Sequence, residues 1–308
     1  MPYTGKARSS LFSRRQPGGV YVVDDAMRHP GNVFFVDSGQ TTTGADAVGY
    51  GRNPDKPFLT IDYAVGQCAA SNGDVIYVLP GHAETVSAAA GLALDVIGIS
   101  VIGVGRGSLQ PTVTFDTDAD ADMDVDAADI LVENIHFVAN FADIVAMIDV
   151  NADDFTLRNC RFSQAAADMN ALICVQDALA GGSDRITIEG CHAMMYDAAN
   201  THFVNFAGTG TGHIVRDNIL MGDWGTMCIG GAGLTTYTTI IDNVIYNAAA
   251  DNDSCINSAA TSGICMRNLA GGGAAQANGI TAAGLALAEN YYGVAAEDLS
   301  ALLEPVVT

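Results

Sequence analysis

The groups best suited to chemistry are concentrated in one run, Asp116-Thr117-Asp118-Ala119-Asp120-Ala121-Asp122-Met123-Asp124-Val125-Asp126. In a strand, alternate residues share a face, so the run would line one face with carboxylates. Calcium takes about six to eight oxygen ligands, and such a face could offer several of them. The run lacks the glycine and closing glutamate of an EF-hand loop. It also lacks the Gly-Gly-x-Gly-x-Asp nonapeptide of calcium-binding β-rolls. It reads as a solvated acidic face, and no metal is assigned.

A second set of carboxylates, Glu133, Glu189, Asp217, Asp242 and Glu289, recurs in similar phrases, with Arg158 and Arg267 in the same place. Sugar hydrolysis needs two carboxylates at a suitable separation. Interspersed arginines instead make a mixed-charge stripe, which reads as a solvated surface or a subunit contact. No catalytic residue is assigned. His82, His136, His192, His202 and His213 are scattered, although His192 and His202 could approach across a loop. None has HExxH or zinc-knuckle spacing. Gly103-x-Gly105-x-Gly107 lacks the Lys-Ser/Thr of a phosphate loop and reads as a turn. The single tryptophan, Trp224, could be a sugar-stacking platform, but core or interface packing is the stronger reading. Seven cysteines form no CxxC pair and read as reduced, small core residues. No cofactor is expected.

Net charge is −22, from 13 basic and 35 acidic residues, which argues against direct binding of nucleic acid. Residues 1–28 carry Lys6, Arg8, Arg14, Arg15 and Arg28 against Asp24 and Asp25, a charge of +3 that leaves −25 for the remainder. A basic arm on an acidic body suggests docking on something acidic, with a solvated tail as the alternative. The chain has no run of eighteen apolar residues and opens without a signal-like apolar stretch. No membrane span is expected, and synthesis in the cytosol without general secretion is.

The elements that position these groups follow from an internal repeat. Ile130-Leu131-Val132-Glu133-Asn134, Phe155-Thr156-Leu157-Arg158-Asn159 and Ile186-Thr187-Ile188-Glu189-Gly190 are alike. So are Ile214-Val215-Arg216-Asp217-Asn218, Thr239-Ile240-Ile241-Asp242-Asn243, Ile264-Cys265-Met266-Arg267-Asn268 and Ala286-Leu287-Ala288-Glu289-Asn290. The steps between them are 25, 31, 28, 25, 25 and 22 residues. Two places before the Asn the residue is apolar, with Arg216 the misfit, and the residue after it is again apolar or nearly so. A charge beside an apolar column is the alternation of a strand with one buried face. Asn and Gly tolerate left-handed backbone, so a bend is expected there. Asn134, Asn159, Asn218, Asn243, Asn268 and Asn290 are read as one stacked ladder of amides.

Each repeat holds a further strand upstream, at 147–150, 172–175, 203–206, 227–229 and 255–257. A repeat of some 25 residues cannot bury its own apolar face, so coils must stack, parallel and in register. The fold expected is all-β, a single-stranded right-handed parallel β-helix with an extended N-terminal arm and a cap helix. The boundaries are 1–32 for the arm, 33–72 for an opening strand and cap helix, 73–293 for the β-helix and 294–308 for the tail. The cap helix is placed over 58–70, with Leu59, Tyr63 and Cys68 on its apolar face, and a short final helix over 298–303.

Lys56-Pro57-Phe58-Leu59-Thr60-Ile61, and Gly73-Asp74-Val75-Ile76-Tyr77-Val78-Leu79-Pro80-Gly81-His82-Ala83-Glu84-Thr85-Val86, resemble the opening coil of pectate-lyase-like β-helix proteins. With Gly31-Asn32-Val33-Phe34-Phe35-Val36-Asp37-Ser38, the phrases are similar to short β-helix proteins encoded among tailed-phage structural genes. That resemblance implies a head decoration, cement protein or spike, often trimeric. Pectate-lyase catalysis would need calcium-binding acids and a base. There is no lysine after Lys56, and nothing singles out Arg158, Arg161 or Arg185, so no catalytic residue carries over. The expected function is therefore a non-enzymatic capsid decoration protein on the virion exterior. It would be a homotrimer held to the major capsid protein, or another virion protein, by Lys6, Arg8, Arg14, Arg15 and Arg28. The alternative is a tailspike-like adhesin or depolymerase of host polysaccharide.

Overall fold

The computed structural model describes residues 31–293, apart from 178, 180, 250–253, 273–278 and 283, and the backbone of 12–14, 21–23, 294 and 301–303. Alternating apolar and polar residues put each coil into three short strands separated by bends. One coil runs Leu131–Glu133, His136–Ala139, Ile144–Val150; the next runs Thr156–Arg158, Arg161–Gln164, Ala171–Asp177. Stacking aligns these into three sheets, of ten, ten and eight strands among the described residues, called first, second and third in the order the chain visits them. Pairing between coils is parallel and in register: Leu157 lies between Val132 and Ile188, and Phe162 between Phe137 and Ala193. The fold is the expected right-handed parallel β-helix, of about eight turns.

Inward columns fill the interior. Val132, Leu157, Ile188, Val215, Ile240 and Cys265 follow one another from the first sheet, all buried. Burying each large apolar side chain contributes about 1.5–3 kcal/mol. Stacking is what removes their faces from water. Phe115, Phe137 and Phe162 stack, Phe162 meets Phe203 edge-on, and Phe203 meets Trp224 the same way. Trp224 is fully buried, as its core reading required. The six cysteines of the coils are buried thiols, and burial pushes Cys255 and Cys265 up to about 12.

Two elements at the ends differ from expectation. The cap helix is only Ile61–Val65; it buries Ile61, Ala64 and Val65, while Tyr63 and Cys68 pack half-buried against the core and Leu59 precedes the helix. Asp46 and Thr60 stop it from beginning earlier. Asp46 Oδ1 accepts the Leu59 N–H at 2.7 Å, and Thr60 Oγ1 caps Tyr63 N–H at 3.3 Å. Gly66 then ends it. Ile61 faces Leu92, Leu94, Val101 and Met123 across the core, so the helix does plug the stack. At the other end Ala301–Leu303 is a strand, not a helix. It pairs antiparallel with Asn290–Tyr292, which uses the edge the last coil would leave open. In the arm, Phe12–Arg14 and Tyr21–Val23 pair antiparallel. The opening strand Val33–Val36 pairs with Val75–Val78 and is the end strand of the first sheet.

Candidate functional site

The bend between first and second sheets is built differently in the two halves of the stack. Strand register aligns Arg158, Glu189, Arg216, Ile241, Met266 and Ala288. The next place is therefore Asn159, Gly190, Asp217, Asp242, Arg267 and Glu289, and all six have left-handed backbone, with φ between 52° and 65°. The place after that is Cys160, Cys191, Asn218, Asn243, Asn268 and Asn290, all fully buried. The one amide column of the sequence is thus two columns. Asn134 and Asn159 sit on the bend itself. Asn218, Asn243, Asn268 and Asn290 sit one place further on and point inward, where lower coils place Ile135, Cys160 and Cys191.

Only those four form the ladder. Asn218 Nδ2 donates to Asn243 Oδ1, Asn243 Nδ2 to Asn268 Oδ1, and Asn268 Nδ2 to Asn290 Oδ1, each at 2.9 Å. Each Oδ1 also accepts a backbone N–H from the coil below, beginning with Cys191 N at 2.8 Å. The other amide hydrogen reaches a carbonyl, as from Asn243 to Val215 O at 3.0 Å. Asn134 Nδ2 instead donates to Gly103 O and Gly105 O, pinning that glycine turn.

The carboxylate stripe divides in the same way. Glu133, Arg158, Glu189 and Arg216 stack on the outer face of the first sheet as alternating ion pairs. Burial works against the Glu189 charge, but hydrogen bonds from Arg216 and Arg158 hold its carboxyl below the usual range. Asp217, Asp242, Arg267 and Glu289 belong to the bend, where Arg267 pairs with Asp242 at 2.7 Å.

The same shift moves the apolar residue that follows each upper Asn. In the lower coils that residue, as in Ile135, is inside; in the upper coils it is outside. Outer positions of the second sheet read His136 and Val138, Arg161 and Ser163, His192 and Met194, Ile219 and Met221, Val244 and Tyr246, Leu269 and Gly271. Tyr291 follows. Not one is acidic, in a chain with 35 acids. Met194, Met221, Tyr246, Leu269 and Tyr291 are 42–54% exposed. A contiguous apolar face rimmed by charge marks a surface for contact with another macromolecule.

The acidic run does alternate as its sequence suggests: Ala121, Met123 and Val125 are buried while Asp122 and Asp124 are partly exposed and Asp126 exposed. Register sets Asp149 of the next coil beside Asp124. Oxygens of Asp122, Asp124 and Asp149 lie within 4.8 Å of one another, the one group among the described residues close enough to hold a metal ion. Burial, and then the charges of Asp124, Asp122 and Asp126, push Asp149 up to about 6. Burial does the same to Asp122, also about 6, against a hydrogen bond from Ala90 N–H. Asp149 Oδ1 is buried with no hydrogen-bond partner among the described residues. Such a cluster can take a divalent cation or share a proton. Sequence reading missed Asp149, because only strand register brings it to the run.

The histidines do not converge. His192 is exposed on the second sheet; His202 is on the third and bonds Thr201 Oγ1. Burial lowers His136, His202 and His213 to about 4. His82 holds the cap: its Nδ1 accepts Ser38 N–H at 3.0 Å, so Nε2 carries the hydrogen toward Glu84 Oε2 at 3.2 Å. Glu84 Oε2 in turn accepts Ile61 N–H at 2.9 Å. The Pro80-Gly81-His82-Ala83-Glu84 phrase is thus scaffold. Of the arm's candidates, Lys6, Arg8, Arg15 and Arg28 lie outside the described residues, and Arg14 is described only as the end of a strand.

No protein-family model and no curated protein matches the chain. Solved structures do. A rhamnogalacturonan lyase is 14% identical with a TM-score of 0.42, over 88% of this chain and 65% of its own. A GH136 lacto-N-biosidase from Eubacterium ramulus is 13% identical with a TM-score of 0.44, over 85% of this chain and 56% of its own. ORF18 of Geobacillus virus E2 is 12% identical with a TM-score of 0.34, over 85% and 61%. The chain spans 56–65% of the length of these proteins. The parallel β-helix of this chain is shown by its own strand order and register.

Proposed function

We propose that this chain is a structural protein of a phage particle, and more narrowly a non-enzymatic decoration or cement protein on the head shell. The observation that carries this reading is the outer face of the second sheet, acid-free throughout and apolar in its C-terminal coils. It is a surface suited to protein contact, and its outer positions hold none of the paired acids that sugar cleavage needs. The charge division supports it: the +3 arm suits an anchor on an acidic capsid protein, and the acidic body suits the solvent side. The phrases resembling phage β-helix proteins point the same way. A cement protein binds the assembled shell and not its dissociated subunits, and so raises the shell's resistance to rupture. The test is the rupture temperature of undecorated heads with and without the protein. A rise is expected; no change at saturating protein sinks the cement reading.

A second reading, an adhesin or depolymerase of host polysaccharide, is favoured by one feature, the Asp122, Asp124 and Asp149 cluster. Carboxyls near 6 can be protonated in part at neutral pH, as a general acid requires. Release of reducing ends from host polysaccharide, abolished in Asp149→Asn, would favour it.

A further inference from the structure

We infer that the antiparallel hairpin of the arm, Phe12–Arg14 with Tyr21–Val23, is seated on the outer face of the first sheet. Its seat is the three strands at the lower end, Val33–Val36, Val75–Val78 and Ser100–Gly103. This deepens the structural-protein reading, since it fixes which part of the arm is left to meet a partner, and it rests on that reading for the arm's role. Phe34, Val36, Ile76 and Val78 belong to the interior core. Alternation therefore turns Phe35, Val75 and Tyr77 outward. They form a separate apolar cluster, whose half-buried members, Val33, Leu79, Ile102 and Val104, lie on the first sheet or directly after its strands. Yet Phe35, Val75 and Tyr77 are only 6%, 2% and 0% exposed, whereas Met221, Tyr246 and Leu269 on the second sheet are 42–53% exposed. A single layer cannot bury its own outer face, so a second layer covers this one. The burial is that of one chain alone, so the cover is the chain's own.

Several observations select the hairpin as that layer. It pairs only with itself, and an isolated two-stranded hairpin is marginally stable at best, so it needs a surface to rest on. Its register sets Phe12 opposite Val23 and Arg14 opposite Tyr21, which places three apolar residues on one face. Its strands are about 10 Å long, and three sheet strands ~4.8 Å apart span about the same. The tether is long enough. Residues 24–31 join Val23 to Asn32, and such a segment spans up to about 26 Å, while the cluster begins at Val33 itself. Above the cluster the outer column turns charged, Tyr77 and Ile102 being followed by Glu133, an acid that suits Arg14 or Arg15 at the hairpin's edge. With the hairpin seated, the anchor is reduced to residues 1–11 and 15–20, which carry Lys6, Arg8 and Arg15. The partner those residues fit is an acidic protein surface.

Limited trypsin digestion of the full chain, read by mass spectrometry, tests this. The bonds after Lys6 and Arg8 should be cut about tenfold faster than the bond after Arg14, which the seat protects. Tyr77→Asp on the sheet and Phe12→Asp on the arm should each bring the Arg14 bond to the Arg8 rate. Phe12 lies outside the coils, so its variant should keep the circular dichroism spectrum of the parent. Leu269→Asp, on the exposed second-sheet face, should leave the protection as it is. Equal rates at Arg8 and Arg14 in the parent, protection that survives both Tyr77→Asp and Phe12→Asp, or its loss in Leu269→Asp overturns the inference. So does protection that falls on dilution, which would assign the cover to a second copy. Head binding is scored separately: protection without binding to heads refutes the decoration reading alone, and binding to heads without protection refutes the seat alone.

Discussion

Asn243 Oδ1 accepts both the backbone N–H of Asn218, at 3.2 Å, and its side-chain amide, at 2.9 Å. With its own two donations, to Val215 O and Asn268 Oδ1, the Asn243 side chain makes four hydrogen bonds inside a fully buried corner. Removing it orphans groups that water cannot reach, each at about 1–3 kcal/mol. Asn243→Ala is therefore expected to lose roughly 2–5 kcal/mol in denaturant unfolding. Asn159, exposed on the bend at φ 54°, behaves differently. Asn159→Gly keeps the left-handed backbone and should stay within about 1 kcal/mol of the parent. Equal losses in both variants would contradict the division into two columns.

That division shows where the sequence was legible and where it was not. Strand alternation, the upstream strands and the bend were all readable, because side-chain period and left-handed tolerance are local properties. Equating Asn134 and Asn159 with Asn218 was not safe, since repeats of 25, 31 and 28 residues leave a one-residue shift unmarked. The signal was Arg216, a charge in an apolar column: the buried residue there is Val215. Realigned on Val215, the apolar Ile219, Val244, Leu269 and Tyr291 fall outside, and the exposed face appears. Asp149 was hidden for another reason, because its place beside Asp124 depends on pairing between coils.

The acidic cluster opposes folding at neutral pH. Folded Asp122 and Asp149, near 6, lie above the ordinary carboxyl value of 3.8, so their contribution is present at low pH and lost as pH rises through 6. His136, His202 and His213 act oppositely: held near 4 from 6.5, they favour folding above 6.5 and lose that as pH falls toward 4. Comparison with Asp149→Asn separates the two. The variant should melt higher than the parent above pH 6.5, on the order of 2 °C, with the gain fading below pH 5. A gain that is constant with pH would show that charge repulsion is not its cause.

Trp224 is the single tryptophan and fully buried against Phe203. Its fluorescence should be that of an apolar site, resist iodide quenching until unfolding, and stay unchanged when polysaccharide is added. Quenching of the native protein by iodide would contradict its place in the core.

Glu84 links His82 to the first N–H of the cap helix. Glu84→Ala removes the acceptor for Ile61 N–H, at a cost of about 1–3 kcal/mol. Hydrogen exchange should quicken over residues 58–66 and remain as in the parent beyond residue 130. Uniform acceleration along the chain would show that the cap governs the whole stack.

Whether the basic arm holds this chain to a phage head is decided by cosedimentation with undecorated heads. Full-length protein is expected to pellet with the shells, and protein lacking residues 1–28 to stay in the supernatant. Full-length protein that stays in the supernatant would contradict a structural role on the head.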